Sequence, residues 1–136
     1  MRIRYCAFIL LLVAILLSIA ACREIKVSLG QEFSLGIGES ALIQGEELQI
    51  KFLRVVTDSR CPRGVTCIWE GEVSCMVEIT YQESLHQLRL TEPGLTNWPQ
   101  EEAFKQYRIA FHVEPYPEAG IDIAEDEYRL LLRVSK

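Results

Sequence analysis

The sequence predicts an all-β protein: a single-domain antiparallel β-sandwich, or a small barrel, of about seven or eight strands. Beyond residue 21, apolar and polar side chains alternate with a period of two, the pattern of half-buried strands. Glycine and proline separate these segments at short intervals, as turns do. No sustained helical period occurs there, and 136 residues suffice for one domain with one core. We assign residues 31–136 to the sandwich.

Each predicted strand is identified by the parity of its apolar residues. In chain order the apolar faces are Phe33 and Leu35; Ala41 and Ile43; Leu48, Ile50 and Phe52; Val73, Cys75, Val77 and Ile79; Leu88 and Leu90; Ile109, Phe111 and Val113; and Tyr128, Leu130, Leu132 and Val134. After Phe52 the parity changes, since Leu53 and Val55 take the opposite positions, and this predicts a β-bulge near Phe52. Pro99 is followed by polar residues up to Lys105, which predicts one helical turn.

The first 21 residues have the pattern of a secretory signal peptide. Arg2 and Arg4 precede an almost wholly apolar run over residues 5–21. The run ends in Ile19-Ala20-Ala21-Cys22, which resembles a bacterial lipobox. The resemblance implies that Cys22 is diacylated and becomes the N-terminus after cleavage, so that lipid holds the protein on a membrane. The alternative is an uncleaved signal anchor, since a run of about 17 residues is at the short limit for crossing a bilayer.

Both interpretations place the rest of the chain on the extracytoplasmic face of the cell membrane or the outer membrane. We expect residues 22–30 to form a short tether, which holds the domain close to the bilayer. Once residues 1–21 are removed, 12 of the 14 basic residues remain, against 19 acidic ones. Nucleic-acid affinity comes mainly from clustered lysine and arginine, so this acidic balance argues against a nucleic-acid partner.

Three cysteines remain in the predicted domain, and in an oxidising compartment two of them are expected to pair. Cys61 and Cys67 enclose a Pro- and Gly-containing loop that can fold back on itself, whereas Cys75 lies on the apolar face of a strand. We therefore predict a Cys61–Cys67 disulfide and a buried, reduced Cys75. The spacing is not typical of a zinc site, and the C-x-x-C motif of redox enzymes is absent.

A dense motif surrounds the two paired cysteines, from Asp58 to Glu72. This stretch resembles the D-S-R-C-P-x-x-V-x-C-x-W-x-G motif of a family of small secreted or lipid-anchored bacterial proteins without a characterised activity. Residues 113–117 and 128–136 fit the same family. The resemblance implies a β fold and a disulfide between the motif cysteines, and it implies no activity.

Three residues of the motif predict local structure. Asp58 and Arg60 lie at the mouth of the disulfide loop, where their opposite charges are expected to pair. Gly71 marks a close backbone approach or a bulge at the start of the next strand.

Four side chains are candidate binding residues: Arg63, Trp69, Trp98 and Tyr116. Arg63 lies between the paired cysteines, and Trp69 follows them. A disulfide-constrained loop loses little entropy on binding, which favours a recognition surface. The simpler interpretation is that the motif is a folding staple of a small extracytoplasmic domain, with Tyr116 packed over one end of the core.

The sequence predicts no catalytic residues, no metal and no cofactor. His86 and His112 are expected to be ordinary strand residues, and the acidic residues from Asp122 to Glu127 lack the spacing of an EF-hand. We therefore expect a lipid-anchored, non-catalytic envelope module that binds a protein or an envelope polymer. The alternative is an inhibitor of a protease or lysozyme. An enzyme is the least favoured class. Only a cleft that holds His86 or His112 against a carboxylate with a perturbed pKa would favour it.

Overall fold

Nine β-strands account for most of the described chain, which in this computed structural model comprises residues 24–95 and 99–136. In chain order they are β1 (Glu24–Val27), β2 (Glu32–Gly36), β3 (Ser40–Ile43), β4 (Leu48–Asp58), β5 (Glu72–Tyr81), β6 (Ser84–Pro93), β7 (Gln100–Phe104), β8 (Tyr107–Glu114) and β9 (Arg129–Ser135). A short 3₁₀ turn, Glu125–Glu127, precedes β9. Cys22 and Trp98 lie outside the described residues.

The strands form two sheets. The first has five strands in the order β1-β3-β4-β5-β6, and the second has four in the order β2-β9-β8-β7. Neighbouring strands are antiparallel except β1 and β3, which run parallel. The predicted all-β sandwich is confirmed, with nine strands in the described chain where about seven or eight were expected.

The core is formed by the apolar residues that alternate along the strands, and this alternation is the pattern on which the fold prediction rests. The wholly buried side chains come from both sheets and belong to one contiguous cluster. They include Leu35, Ile43, Leu48, Ile50, Phe52, Val73, Val77, Ile79, Leu90, Ile109, Val113, Leu130 and Leu132. Full burial of one such side chain contributes about 1.5–3 kcal/mol, so this cluster is the main attraction between the sheets.

The predicted bulge near Phe52 is confirmed. The pairing of β4 with β5 shifts register between Phe52 and Arg54, and again between Val55 and Thr57. Bulges bend a strand and increase its twist. Both lie in the half of β4 that leads into the disulfide loop.

The segment expected to be a tether, residues 22–30, contains β1. Ile25 lies opposite Ala41 and Val27 opposite Ile43 in the parallel pair. These two apolar residues give only one alternation, which is too short a pattern to identify a strand. Any free tether is therefore shorter than the sequence suggested.

The helical turn predicted for residues 99–105 is wrong. Gln100–Phe104 is β7, which forms a hairpin with β8 through Lys105 and Gln106. Lys105 takes the left-handed φ of 55° that this tight turn requires. Pairing with β8 outweighs the weak local preference for a helical turn. Among residues 24–95 and 99–136, no helix is long and apolar enough to cross a membrane.

The strand registers divide the loops between two ends of the sandwich. Asp58 lies opposite Val73, and Glu72 opposite Pro93, so the chain between β4 and β5 leaves the first sheet at the same end as the chain after β6. We call this the disulfide end. Its loops are residues 37–39, 59–71, 94–95 and 115–128. The loops at the opposite end are residues 28–31, 44–47, 82–83 and 105–106.

We predict that Cys75 is inert in the folded protein. It is buried and reduced, and burial, with a smaller effect of the Glu92 charge, raises the pKa of its thiol to about 12. The reactive species is the thiolate, so iodoacetamide at pH 8 should leave Cys75 unmodified in the native state and alkylate it in urea. Peptide mass mapping measures both. Rapid native alkylation would show that this part of the core opens.

Candidate binding surface at the disulfide end

The predicted disulfide lies in the loop between β4 and β5, residues 59–71, which we call the disulfide loop. Cys61 and Cys67 are joined, with their Cα atoms 5.9 Å apart, while Cys75 stays free. Every residue from Arg63 to Glu70 is exposed. Exposed loop residues bury too little surface to fix their own conformation. The cross-link therefore restricts the conformation of this solvent-exposed loop.

The neck of the loop is a close backbone contact. The amide of Ser59 donates to the Glu72 carbonyl at 2.8 Å, and the amide of Cys61 donates to the Glu70 carbonyl at 2.9 Å. Gly71 has a φ of 71°, and a Cβ there would lie 1.8 Å from the Ser59 carbonyl oxygen. No other residue fits, so the predicted close approach at Gly71 is confirmed.

Arg60 ties the neck of the loop to the second sheet. Its Nε and Nη2 donate to the two carboxylate oxygens of Asp58 at 2.9 and 2.6 Å, which confirms the predicted ion pair. Its Nη1 donates to the Val113 carbonyl at 2.8 Å and its Nη2 to the Pro115 carbonyl at 2.9 Å. The Arg60 side chain is 1% exposed. Asp58 ends β4 and Val113 lies in β8, so one guanidinium bridges the two sheets.

The position of Val113 explains why these bonds are needed. The β7–β8 ladder ends at the pair Gln100 and Phe111, so among the described strands none pairs with β8 on that side beyond this point. There the Val113 amide donates to Glu92 Oε2 at 2.9 Å, while its carbonyl accepts from Arg60. Two buried side chains, Glu92 of β6 and Arg60 of the loop after β4, thus satisfy the backbone groups that β7 leaves unpaired.

The loop after β8 packs against the disulfide loop. The Arg63 amide donates to the Pro117 carbonyl at 3.0 Å, and the Ala119 amide donates to the Arg63 carbonyl at 3.1 Å. The Tyr116 hydroxyl donates to the Cys61 carbonyl at 2.9 Å. The Arg63 guanidinium carbon lies 5.2 Å from the Tyr116 ring centroid, within cation–π range. Tyr116 therefore joins the two loops.

These contacts build a groove of about 560 Å³ lined by the disulfide loop, Leu95 and Tyr116. Arg63, Trp69 and Tyr116, three of the four predicted binding residues, line it together. Trp98, the fourth, lies outside the described residues. Large apolar side chains are exposed around the groove: Val65 by 50%, Ile68 by 107%, Trp69 by 64% and Leu95 by 74%.

Sequence reasoning missed the contribution of Val65, Ile68 and Leu95. Alternation identifies strands and their buried faces, and these residues lie in loops where it says nothing about exposure. The available signal was Ile68 next to Trp69, directly after the second of the two paired cysteines. Glu92 was missed as well, because it lies at the end of a strand where a charged residue is ordinarily solvated.

His112 contacts a carboxylate, which is one part of the arrangement that would favour an enzyme. Its Nδ1 lies 2.6 Å from Glu92 Oε1, and Glu92 is 3% exposed. The same carboxylate satisfies the Val113 amide, so its position is explained by the junction of the two sheets. His86 packs edge-on against Phe104. Within residues 24–95 and 99–136, no three His, Cys, Asp or Glu side chains are grouped to hold a metal ion.

Comparisons of the chain with protein-family models, with curated proteins and with solved structures find no match. Function must therefore be inferred from the geometry of the disulfide end.

We predict that Arg60→Lys lowers the free energy of unfolding by about 3 kcal/mol, because lysine keeps the buried charge but cannot reach Asp58 and both carbonyls together. Urea unfolding measures the change. Glu32→Gln is the matched control, since the Glu32–Arg133 pair at 3.4 Å is exposed and its loss should cost less than about 0.5 kcal/mol. Equal effects of the two substitutions would contradict the role of Arg60.

We predict that stability falls as pH rises from about 10 to 12, in part through Tyr128. Burial, followed by the charge and hydrogen bond of Asp58, raises the pKa of Tyr128 to about 12. The folded state thus retains a phenol proton that the unfolded chain releases near pH 10, so this contribution is complete below pH 10 and disappears through pH 12. Tyr128→Phe should flatten the alkaline part of the stability curve. Parallel curves for the two proteins would show that Tyr128 titrates normally.

Proposed function

We propose that the mature protein is a non-catalytic binding module of the cell envelope, held on a membrane by lipid on Cys22, whose contact surface is the disulfide end. The observation that carries this proposal is the exposure of Ile68 and Trp69 on a loop fixed at both sides. Large apolar side chains grouped in water are unusual for a monomeric domain, and such groups commonly mark interaction sites.

The alternative is that the motif serves folding alone. A staple requires the disulfide, the buried Arg60 bridge and the close backbone approach at Gly71. It does not require Val65, Ile68, Trp69 and Leu95, which contribute little to the core because each is at least half exposed. Binding provides a reason for these side chains, since a rigid loop that presents an aromatic anchor loses little entropy on association.

The same geometry suits a narrower function, inhibition of a protease or lysozyme. A rigid, exposed loop can enter the cleft of a hydrolase. A disulfide favours this because it lowers the conformational entropy that the loop loses on binding. We further propose that the chain belongs to the family of small secreted or lipid-anchored bacterial proteins that its cysteine motif resembles. An extracytoplasmic location agrees with the disulfide, because such bonds persist mainly in oxidising compartments.

Lipid anchoring is tested by the intact mass of the protein extracted from membranes. We expect Cys22 at the N-terminus with acyl chains attached, and a mass lower by two hydrogen atoms than that of the fully reduced chain. Retention of residues 1–21 or an unmodified Cys22 would contradict the lipoprotein assignment.

Binding is tested by recovering envelope proteins on the immobilised lipoprotein. We expect Trp69→Ala to reduce recovery of the specific partner about tenfold, as the loss of a buried aromatic anchor does, and Arg63→Ala to reduce it less. Recovery that is the same with all three proteins would contradict a contact surface at the disulfide end. A panel of proteases and lysozymes tests the inhibitor alternative, which requires inhibition by the wild-type chain.

A further inference from the structure

We propose that the partner of the disulfide end is a protein with a positively charged docking face and an apolar recess that receives Ile68 and Trp69. This inference rests on the proposed binding function and adds the chemistry of the partner.

Exposed apolar side chains are concentrated at one end of the sandwich. Among the described residues, seven large apolar side chains are prominently exposed. Five of them are at the disulfide end: Val65, Ile68, Trp69, Leu95 and Ile121. The other two, Leu29 and Leu85, lie at or near the opposite end. The apolar contact area therefore belongs to the disulfide end and is not a general property of the surface.

The same end carries most of the loop charge, and that charge is negative. Its loops contain seven acidic residues and two arginines. The acidic residues are Glu39, Glu70, Glu118, Asp122, Glu125, Asp126 and Glu127. Of the arginines, Arg60 is already neutralised by Asp58, which leaves Arg63. By contrast, the opposite-end loops hold only Glu46, Glu47, Glu83 and Lys105.

The loop that carries most of the acidic residues is next to the loop that carries Ile68 and Trp69. Arg63 and Glu118 form a backbone bridge, so the loop that carries most of the acidic residues is paired directly with the disulfide loop. The five acidic residues from Glu118 to Glu127 are exposed. A partner that covers Ile68 and Trp69 thus approaches a surface with an apolar centre and an acidic flank.

This charge distribution discriminates among possible occupants. A second copy of the chain would bring like charges together, which costs binding energy. Anionic lipid headgroups and envelope polymers that carry phosphate or carboxylate are repelled for the same reason. A basic protein is expected to bind more tightly for two reasons. Opposite charges accelerate its association, and contact with the apolar centre slows its dissociation.

The test uses two pairs of matched variants of the full lipoprotein in detergent. Ile68→Ser removes an apolar side chain from the disulfide end. Its control, Leu85→Ser, removes an exposed apolar side chain from β6, near the opposite end. Asp122→Asn with Asp126→Asn removes charge from the acidic flank. Glu101→Gln with Glu102→Gln removes the same charge from β7, where both residues are exposed.

The probes are envelope proteins of the source organism, separated at pH 7 by cation exchange into a retained basic pool and a flow-through pool. Vesicles containing phosphatidylglycerol and isolated peptidoglycan are tested in parallel. We expect a partner from the basic pool, identifiable by mass spectrometry. Ile68→Ser should raise its dissociation rate about tenfold, and the Asp122/Asp126 variant should slow association several-fold and weaken its salt dependence. Both control variants should behave as wild type.

Three outcomes would overturn the inference. If the Ile68-dependent partner comes from the flow-through pool, or is the vesicle or the peptidoglycan, the partner chemistry is wrong but the binding function stands. If the partner is basic but the Asp122/Asp126 variant binds with unchanged kinetics, the acidic flank has no role. If no pool and no probe binds in an Ile68-dependent way, the inference and the proposed function fail together.

Discussion

The buried guanidinium of Arg60 is the interaction on which the disulfide end depends. It reaches Asp58 at the end of β4 and the carbonyls of Val113 and Pro115 in and after β8, so it connects the two sheets at the point where both long loops begin. The Arg63 backbone contacts with the loop after β8 follow three residues later. The groove and the exposed side chains of the disulfide loop are therefore held in place by a polar contact beneath them, in addition to the covalent cross-link.

A buried charge is costly unless it is neutralised and hydrogen-bonded, and here both conditions are met. The Asp58 carboxylate provides the opposite charge, and it also accepts the Tyr128 hydroxyl at 3.1 Å. Among residues 24–95 and 99–136, every buried side-chain nitrogen or oxygen has a hydrogen-bond partner. Such a pair adds little net stability compared with apolar packing. Here it fixes one relative position of β4 and β8. It also satisfies the Val113 carbonyl of β8, which lies beyond the point where the pairing with β7 ends.

Sequence reasoning was successful where a repeating pattern carries the information. The period-two parity identified the core faces of β4, β5, β8 and β9, and the cysteine environments predicted which two of Cys61, Cys67 and Cys75 pair. It was unsuccessful where structure depends on distant partners. β7 exists because it pairs with β8, and the partners of Arg60 beyond Asp58 lie 53 and 55 residues away. Arg63, Trp69 and Tyr116 were predicted from motif and loop position, whereas the exposure of Ile68 and Leu95 required the fold.

The central claim is that the Arg60 bridge holds the two loops together even without the disulfide, and amide hydrogen exchange tests it most directly. The informative amides are those of Cys61, Arg63 and Ala119, which bond across the neck and between the loops. We expect a Cys61→Ser, Cys67→Ser double variant to retain slow exchange at the amides of position 61 and Ala119. We expect Arg60→Lys to lose slow exchange at all three amides. Protection that survives in Arg60→Lys and disappears without the disulfide would contradict this view of the molecule.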